Sequence, residues 1–265
     1  MIRLNHRRRT AELMDQPGLD PAHHRQALRA LQTVNRISRT GPILWAPIRR
    51  LLRTDPARTW RVLDVGSGGG DIVLSLAASA RQENLSLAID GCDISPLAVA
   101  HATQRAAEFV TSQPPSRPAL SLTTPAHSST EQPADRDTTA QPVRFFEHDV
   151  LRDELPQGYD IVLCSLFLHH LDDFEARKLL INMGRSARRM VLVDDLCRSS
   201  WGYLVAWLGG RLVSRSHIVH NDGPISVEAA FTMTEARQLA LDAGLAGASI
   251  RPHWPARYLL TWERP

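Results

Sequence analysis

Val62-Leu63-Asp64-Val65-Gly66-Ser67-Gly68-Gly69-Gly70-Asp71 is the stretch that decides how the rest of the chain is read. An apolar run ends there in an acid and then in a turn dense in glycine. Glycine supplies positive φ and lets the backbone approach a ligand with no Cβ in the way. Beyond the turn, Ile72, Val73, Leu76, Ala77 and Ala80 recur at helical spacing. The pattern predicts strand, glycine loop and helix, with an anionic or nucleotide-like ligand on the loop. A tight strand-to-helix connection that binds nothing is the bland alternative.

Spacing separates the ligand classes that use such a turn. A dinucleotide fingerprint, G-x-G-x-x-G, fails because counting from Gly66 its last glycine would fall on Asp71. D-x-G-x-G-x-G fits, from Asp64 through Gly66, Gly68 and Gly70. That run resembles the first motif of class I S-adenosylmethionine (SAM)-dependent methyltransferases. The resemblance implies that Asp64 and the loop, with Gly66, Ser67, Gly68 and Gly70, hold the methionine part of SAM, with S-adenosyl-L-homocysteine as the spent product.

Later segments extend the resemblance. Leu85 to Ile94 reads as a buried strand with Asp93 near its end, followed by Ser95-Pro96, an N-cap and first helical residue. An acid at the end of the second strand of nucleotide-binding α/β folds accepts hydrogen bonds from ribose hydroxyls. Asp93 is therefore the expected ribose ligand, with Ile94 beside it on the cofactor; a plain turn acid is the alternative. Val143 to Phe146 and Asp160 to Leu166 read as a third and a fourth strand, running into Glu147-His148-Asp149-Val150 and Phe167-Leu168-His169-His170. By the same resemblance Asp149 faces the adenine amino group, Val150 lies beside the ring, and Cys164 and Ser165 lie along the cofactor. The resemblance covers Trp60 to Leu196 and the ending to Trp262, and is nearest to small-molecule enzymes of the ubiquinone- and menaquinone-biosynthesis type. It implies a Rossmann-like α/β fold: a seven-stranded, mostly parallel sheet with an antiparallel last strand, helices on both faces and an N-terminal helical cap.

With 265 residues, 43% of them hydrophobic, the chain has enough apolar surface for one domain with extensions. The boundaries expected are a helical extension over 1–56 and a catalytic domain over 57–265. Cys92, Cys164 and Cys197 match no zinc spacing and sit in or just after predicted strands, which reads as reduced, buried thiols in a cytoplasmic protein. Basic Met1 to Arg9 is followed by no apolar core, so it is not read as a secretory signal. No run of about eighteen apolar residues is present, which argues against a transmembrane helix. Net charge is only +3, and His6-Arg7-Arg8-Arg9 with Arg49, Arg50 and Arg53 read as solvated tail and helix residues rather than a nucleic-acid face.

Ahead of the core, Asp20-Pro21 begins a predicted helix carrying Leu28, Leu31, Val34 and Ile37, which ends near Thr40-Gly41. Pro42 to Leu52 forms a second, whose stripe of Ile43, Leu44, Trp45, Ile48, Leu51 and Leu52 suits either a lid over the cleft or packing against the sheet. Thr111 to Pro142, rich in Pro, Ser, Thr and Ala, has no apolar period and is longer than the roughly 12–15 residues usual in compact domains. It is expected to be a disordered surface insertion. Asp172 to Gly184 reads as a helix, Met190 to Leu196 as a fifth strand, Trp201 to Val213 as an apolar helix beside the cleft. Residues 200–231 form the expected acceptor-pocket insertion, with His217, His220, Asn221 and Asp222 on a loop. A helix over Thr234 to Ala243 and strands near Ser249 to Pro252 and Tyr258 to Trp262 complete the pattern.

Methyl transfer from a sulfonium is an in-line displacement, so alignment and exclusion of water carry most of the catalysis. A phenolic acceptor, with a pKa of about 10, gains from a base, and histidine is poised near neutrality. His170 and His220 are the candidate catalytic residues, with His169 and His217 as neighbours to weigh. Structural roles are the alternative for each. Cys164-Ser165-Leu166-Phe167 stands where amino-nitrogen methyltransferases carry N/D-P-P-Y/F, and Ser165 replaces the carboxylate of metal-dependent catechol enzymes, so no metal requirement is expected. The apolar, aromatic cap suggests an aromatic, polyketide-like or lipid-like acceptor, methylated on oxygen or ring carbon, with peripheral membrane contact as a further role for the Trp201 and Trp45 helices. An RNA or protein methyltransferase and a non-catalytic SAM-binding module remain rival readings. No feature specifies an oligomeric state.

Overall fold

Seven strands form one sheet: β1 (Trp60–Val65), β2 (Leu87–Asp93), β3 (Arg144–Glu147), β4 (Tyr159–Ser165), β5 (Ala187–Leu196), β6 (Ser249–His253) and β7 (Arg257–Glu263). The computed structural model describes residues 4–13, 32–33, 35–111, 143–213 and 217–265. The helix expected to start at Asp20-Pro21 and the insertion beyond Thr111 lie largely outside the described residues. Spatial order is β3-β2-β1-β4-β5-β7-β6. Pairings from β3 through β5 are parallel, whereas β7 runs antiparallel to both β5 and β6. The order reverses between β1 and β4, and at such a switch point a crevice opens beyond the carboxyl ends of the strands.

Side chains on the central strands alternate between two cores, as a sheet covered on both faces requires. Val62, Ile161, Leu163, Met190 and Leu192 meet α1 (Thr40–Leu52), α2 (Asp71–Gln82) and α3 (Pro96–Thr111). Leu63, Val65, Val162, Cys164, Val191 and Val193 face the other way, onto α4 (Asp173–Ser186) and α7 (Met233–Asp242). The α1 stripe of Leu44, Trp45, Ile48, Leu51 and Leu52 is buried in the first core, with Trp45 Nε1 donating to Glu83 at 2.8 Å. It therefore packs on the sheet side, and the residues just ahead of it reach the cleft. Both α4 and α7 open with capping boxes, Asp172 with Glu175 and Thr232 with Glu235.

Two more helices, α5 (Ser200–Val213) and α6 (His217–Ala229), pack against each other over the open end of the sheet. Here the structure corrects the sequence reading: His217, His220, Asn221 and Asp222 belong to a helix, not a loop. Asn221-Asp222-Gly223-Pro224 has turn chemistry, and close packing overrides it. A Cβ on Gly210 would sit 3.3 Å from the Val219 carbonyl, and one on Gly223 would sit 3.5 Å from that of Ala206. The small residues let the helix backbones approach, and Pro224 is carried inside α6.

A second correction concerns the basic N-terminus. Arg7 is not a solvated tail residue. Its guanidinium lies 3.7 Å over the Phe231 ring and donates to the carbonyls of Ala229 (2.5 Å), His169 (3.0 Å) and Leu171, as well as to Asp173 (3.0 Å). Arg198 reaches the Leu4 carbonyl at 3.1 Å, the Arg8 N–H meets Glu228 O at 3.0 Å, and the Leu13 N–H meets Asp222 Oδ1 at 2.9 Å. Segment 4–13 is thus strapped across α6 and the turn after β4. Cys92 and Cys164 are buried, Cys197 half-buried, and all are free thiols.

Candidate active site

A cavity of about 750 Å³ opens at the switch point, walled by the ends of β1, β2 and β4, the glycine loop, segment 35–38, α5, α6 and the β6–β7 turn. Gly66 and Gly70 show why the loop needs glycine. Their φ values are +68° and +76°, and an added Cβ would lie 2.8 Å from the Phe167 ring in one case and 2.6 Å from Phe145 in the other. Asp93 fastens the loop from β2: its two oxygens accept the N–H groups of Gly68 (2.8 Å) and Ser95 (2.9 Å). Arg105 of α3 ties it from the side, donating to the Gly69 carbonyl at 2.5 Å and to Asp71. The sequence reading passed over Arg105, which lies a helix away from the motif.

Asp64 is only 2% exposed, and its Oδ1 has no hydrogen-bond partner among the described residues; neither has Ser67 Oγ. Burial, with the nearby charges of Asp93 and Asp71, holds the Asp64 carboxyl well above the usual range. A buried, unpaired acid beside other acids is a costly arrangement that a bound cation relieves. An α-ammonium group matches it, and the loop N–H groups suit the polar remainder of an amino acid. The residues present therefore fit the methionine end of an adenosyl sulfonium cofactor.

Asp64, Gly66, Ser67, Gly68, Asp93, Ile94, Ser165 and His170 all stand in the cavity wall. Gly70 is one step behind it, capping α2. Cys164 points into the core shared with α4, and Val150 is buried in the same core. The Asp149 carboxylate closes its own turn, accepting from the N–H groups of Leu151 (3.0 Å) and Arg152 (3.2 Å). His220 and His217 lie outside the wall, because α6 turns Ile218, Val219, Asp222, Gly223, Ser226 and Val227 inward at helical spacing.

Where α5 and α6 face it, the cavity is lined by Gly202, Val205, Ala206, Ile218, Val219 and Val227, with Asp222 and Ser226 of α6 also turned inward. The outer face of α5 carries exposed Trp201, Leu204, Leu208 and Leu212. Among the described residues no helix is long and apolar enough to cross a membrane. Polar chemistry gathers at the turn Leu168–His170. His169 Nδ1 is 2.6 Å from Asp195 Oδ1, and its Nε2 is 3.6 Å from Glu12 Oε1. Burial alone would lower this imidazole's pKa, but Asp195 and Glu12 together raise it to about 10 and keep it charged at neutral pH. The His170 ring lies beside it, centroids 4.3 Å apart and planes tilted by 33°. Nearby, Arg257 binds Asp194 at 2.5 Å, Thr40 Oγ1 at 3.0 Å and Ser165 Oγ at 3.3 Å, while His253 holds the other Asp194 oxygen at 2.7 Å. Leu166, at φ +52°, makes the sharp bend off β4 that presents Phe167 to the glycine loop.

No protein-family model and no curated protein sequence matches the chain. Solved structures do. Magnesium protoporphyrin IX methyltransferase from Synechocystis PCC 6803 with bound S-adenosyl-L-homocysteine is 19% identical, with 88% of this chain and 87% of that one covered and a TM-score of 0.52. Human N-acetylserotonin methyltransferase with SAM is 18% identical over 92% of this chain and 56% of that one, at a TM-score of 0.57. An O-methyltransferase from neocarzinostatin biosynthesis, in complex with S-adenosyl-L-homocysteine and 1,4-dihydroxy-2-naphthoic acid, is 18% identical over 93% and 58%, at 0.56. This chain thus spans less than two thirds of the length of the latter two. Together these likenesses establish the fold as that of class I methyltransferases.

Proposed function

We propose that the chain transfers a methyl group from SAM to a small hydroxylated aromatic acceptor. The observation that carries this reading is the unpaired, buried Asp64 carboxylate at the switch point, set between a glycine loop and Asp93 and continuous with an apolar chamber. A cavity of about 750 Å³ is within the range of roughly 300–1,000 Å³ typical of small-molecule sites. Asp64 would pair with the α-ammonium, the loop and Ser67 would bind the amino-acid end, and Asp93 and Ile94 would meet the ribose side. Asp149 and Val150, at the end of β3, remain the expected adenine neighbours. When bound, SAM supplies an electrophilic methyl group on a sulfonium centre.

The chain's own contribution is alignment, dryness and proton removal. Val205, Ala206, Ile218, Val219 and Val227 exclude water and hold an aromatic ring by burial. His170, in the wall, takes the acceptor hydroxyl proton on a ring nitrogen. His169 does not compete for it, since it is held charged by Asp195 and Glu12. The apolar chamber and the acceptors seen in solved structures of this fold support an aromatic substrate: the neocarzinostatin enzyme holds a dihydroxynaphthoic acid, and an O-methyltransferase family 2 protein from Planctomyces limnophilus holds apigenin. The arginine cluster argues against RNA, because Arg7 is used up in docking and Arg9 lies 3.8 Å from Asp172 and 3.7 Å from Glu175.

The test is release of S-adenosyl-L-homocysteine by purified protein given SAM with hydroxynaphthoic acids, quinols or RNA. Turnover with the phenolic set alone supports the reading. Turnover with RNA alone, or SAM binding without turnover on any phenol or quinol, would overturn it.

A further inference from the structure

Glu12 reaches the cavity from the segment strapped across α6, a region with no share in the glycine-loop motif. It is 6% exposed, accepts from Ser226 Oγ at 2.5 Å, 214 positions away in sequence, and stands 3.6 Å from His169 Nε2. Burying a carboxylate costs several kcal/mol before its partners compensate. A segment serving only to close the cleft would place an apolar residue there. The anchors on either side of Glu12, Arg7 and the Leu13 N–H, hold the strap in register so that this carboxylate meets the imidazole.

We propose that Glu12 is a positioning residue of the acceptor site: carried in by segment 4–13, its carboxylate clamps His169 from the side opposite Asp195 and so fixes the adjacent His169–His170 pair against the bound acceptor. This rests on the methyl-transfer reading above. With an ion pair at each ring nitrogen of His169, the ring neither flips nor accepts the acceptor's proton, and His170 stands beside it in the cavity wall. The charged and titratable groups around His169 are Asp195 on β5, Glu12 on the strap, His170 in its own turn and Arg7 on its backbone carbonyl, with Arg257 acting on Asp195.

Imidazole NMR of the ligand-free protein tests the clamp without cofactor or acceptor, so its failure is distinguishable from failure of the methyl-transfer reading. In the unaltered protein the His169 ring stays protonated on both nitrogens from pH 6 to 9, as its value of about 10 requires. Glu12→Gln moves its titration downward, and Glu12→Asp restores part of the shift. With a phenolic acceptor that turns over, Glu12→Gln lowers kcat by roughly 10–100-fold, the scale of a slight misplacement, while SAM affinity and Tm change little. A His169 titration unmoved in Glu12→Gln, or a fall in kcat that comes only with a lowered Tm, would overturn the proposal. So would a stoichiometric transition metal in the purified protein that is lost in this variant, because Glu12, His169 and His170 each place one ligand atom within 4.8 Å of the others and coordination would then replace the ion pair.

Discussion

The two halves of the cavity are built by opposite means. The half around the glycine loop comes from one continuous run, Asp64 to Asp71, where strand end, turn and helix start follow each other in sequence and Asp93 adds a single clamp from the neighbouring strand. The opposite half, which the proposed reading gives to the acceptor, is assembled from residue 12, the turn at 168–170, two helices spanning 200–229 and the β6–β7 turn. Local backbone geometry dictates the first half. Long-range packing and buried charge pairs dictate the second, so only the first has a linear signature.

The largest expected effect lies in the first half. Asp64→Asn removes the carboxylate that the proposed reading sets against the SAM ammonium and should weaken SAM binding roughly 10–150-fold, the weight of a charge-assisted hydrogen bond of about 1.5–3 kcal/mol. The same change should leave Tm unchanged or raised, because the buried acid it removes is held well above its usual range in the free protein. Calorimetry and thermal melts on one preparation check both. Lower Tm together with unaltered affinity would assign Asp64 to structure alone. Because Asp64 binds a proton more readily when unpaired, SAM binding should release a proton and tighten as pH rises, read from calorimetry in buffers of different ionisation enthalpy.

Next in size is the contrast between the histidines. Replacing His170 with Asn should cut kcat by about 10²-fold, the low end of what loss of a general base costs, whereas His220→Ala should stay within severalfold. Steady-state rates at saturating SAM decide it, and the reverse order would move the base to α6. A smaller effect is expected from Gly66→Ala, which forces a side chain to φ +68° against Phe167 and should cost about 1–2 kcal/mol in denaturant unfolding.

The pH dependence of stability distinguishes the halves as well. His169 has a folded pKa of about 10 against an ordinary 6.5, so its contribution is full below pH 6.5 and is lost as pH rises through 10. Asp195 and Glu12 are both depressed, so their contributions are present above their ordinary values of 3.8 and 4.5 and are lost as pH falls through the lower folded ones. Melting temperature should therefore fall on the alkaline side between pH 7 and 10, and His169→Gln should flatten that limb. An unchanged limb would remove the ion pair from the account.

What the sequence disclosed follows the same division. The apolar runs at Val62–Val65 and Ile161–Cys164 and the strand-end acids Asp64 and Asp93 were readable because each is decided within a few residues. The helix at His217–Ala229 was not, since Asn221-Asp222-Gly223-Pro224 favours a turn until α5 packs on it. Arg7 reads as a solvated tail residue and Glu12 draws no reading at all, because their partners, Phe231, Ser226 and His169, lie far along the chain. Cys164 illustrates a finer miss: at a strand end, neighbouring side chains point to opposite faces, so Ser165 lines the cavity and Cys164 joins the core.

A crystal structure of the protein soaked with S-adenosyl-L-homocysteine tests the division of the cavity most directly. The account predicts the amino group on Asp64, the ribose beside Asp93, and the sulfur turned toward His170 and the chamber between α5 and α6. Density for the nucleoside in that chamber, or a sulfur facing away from His170, would contradict it.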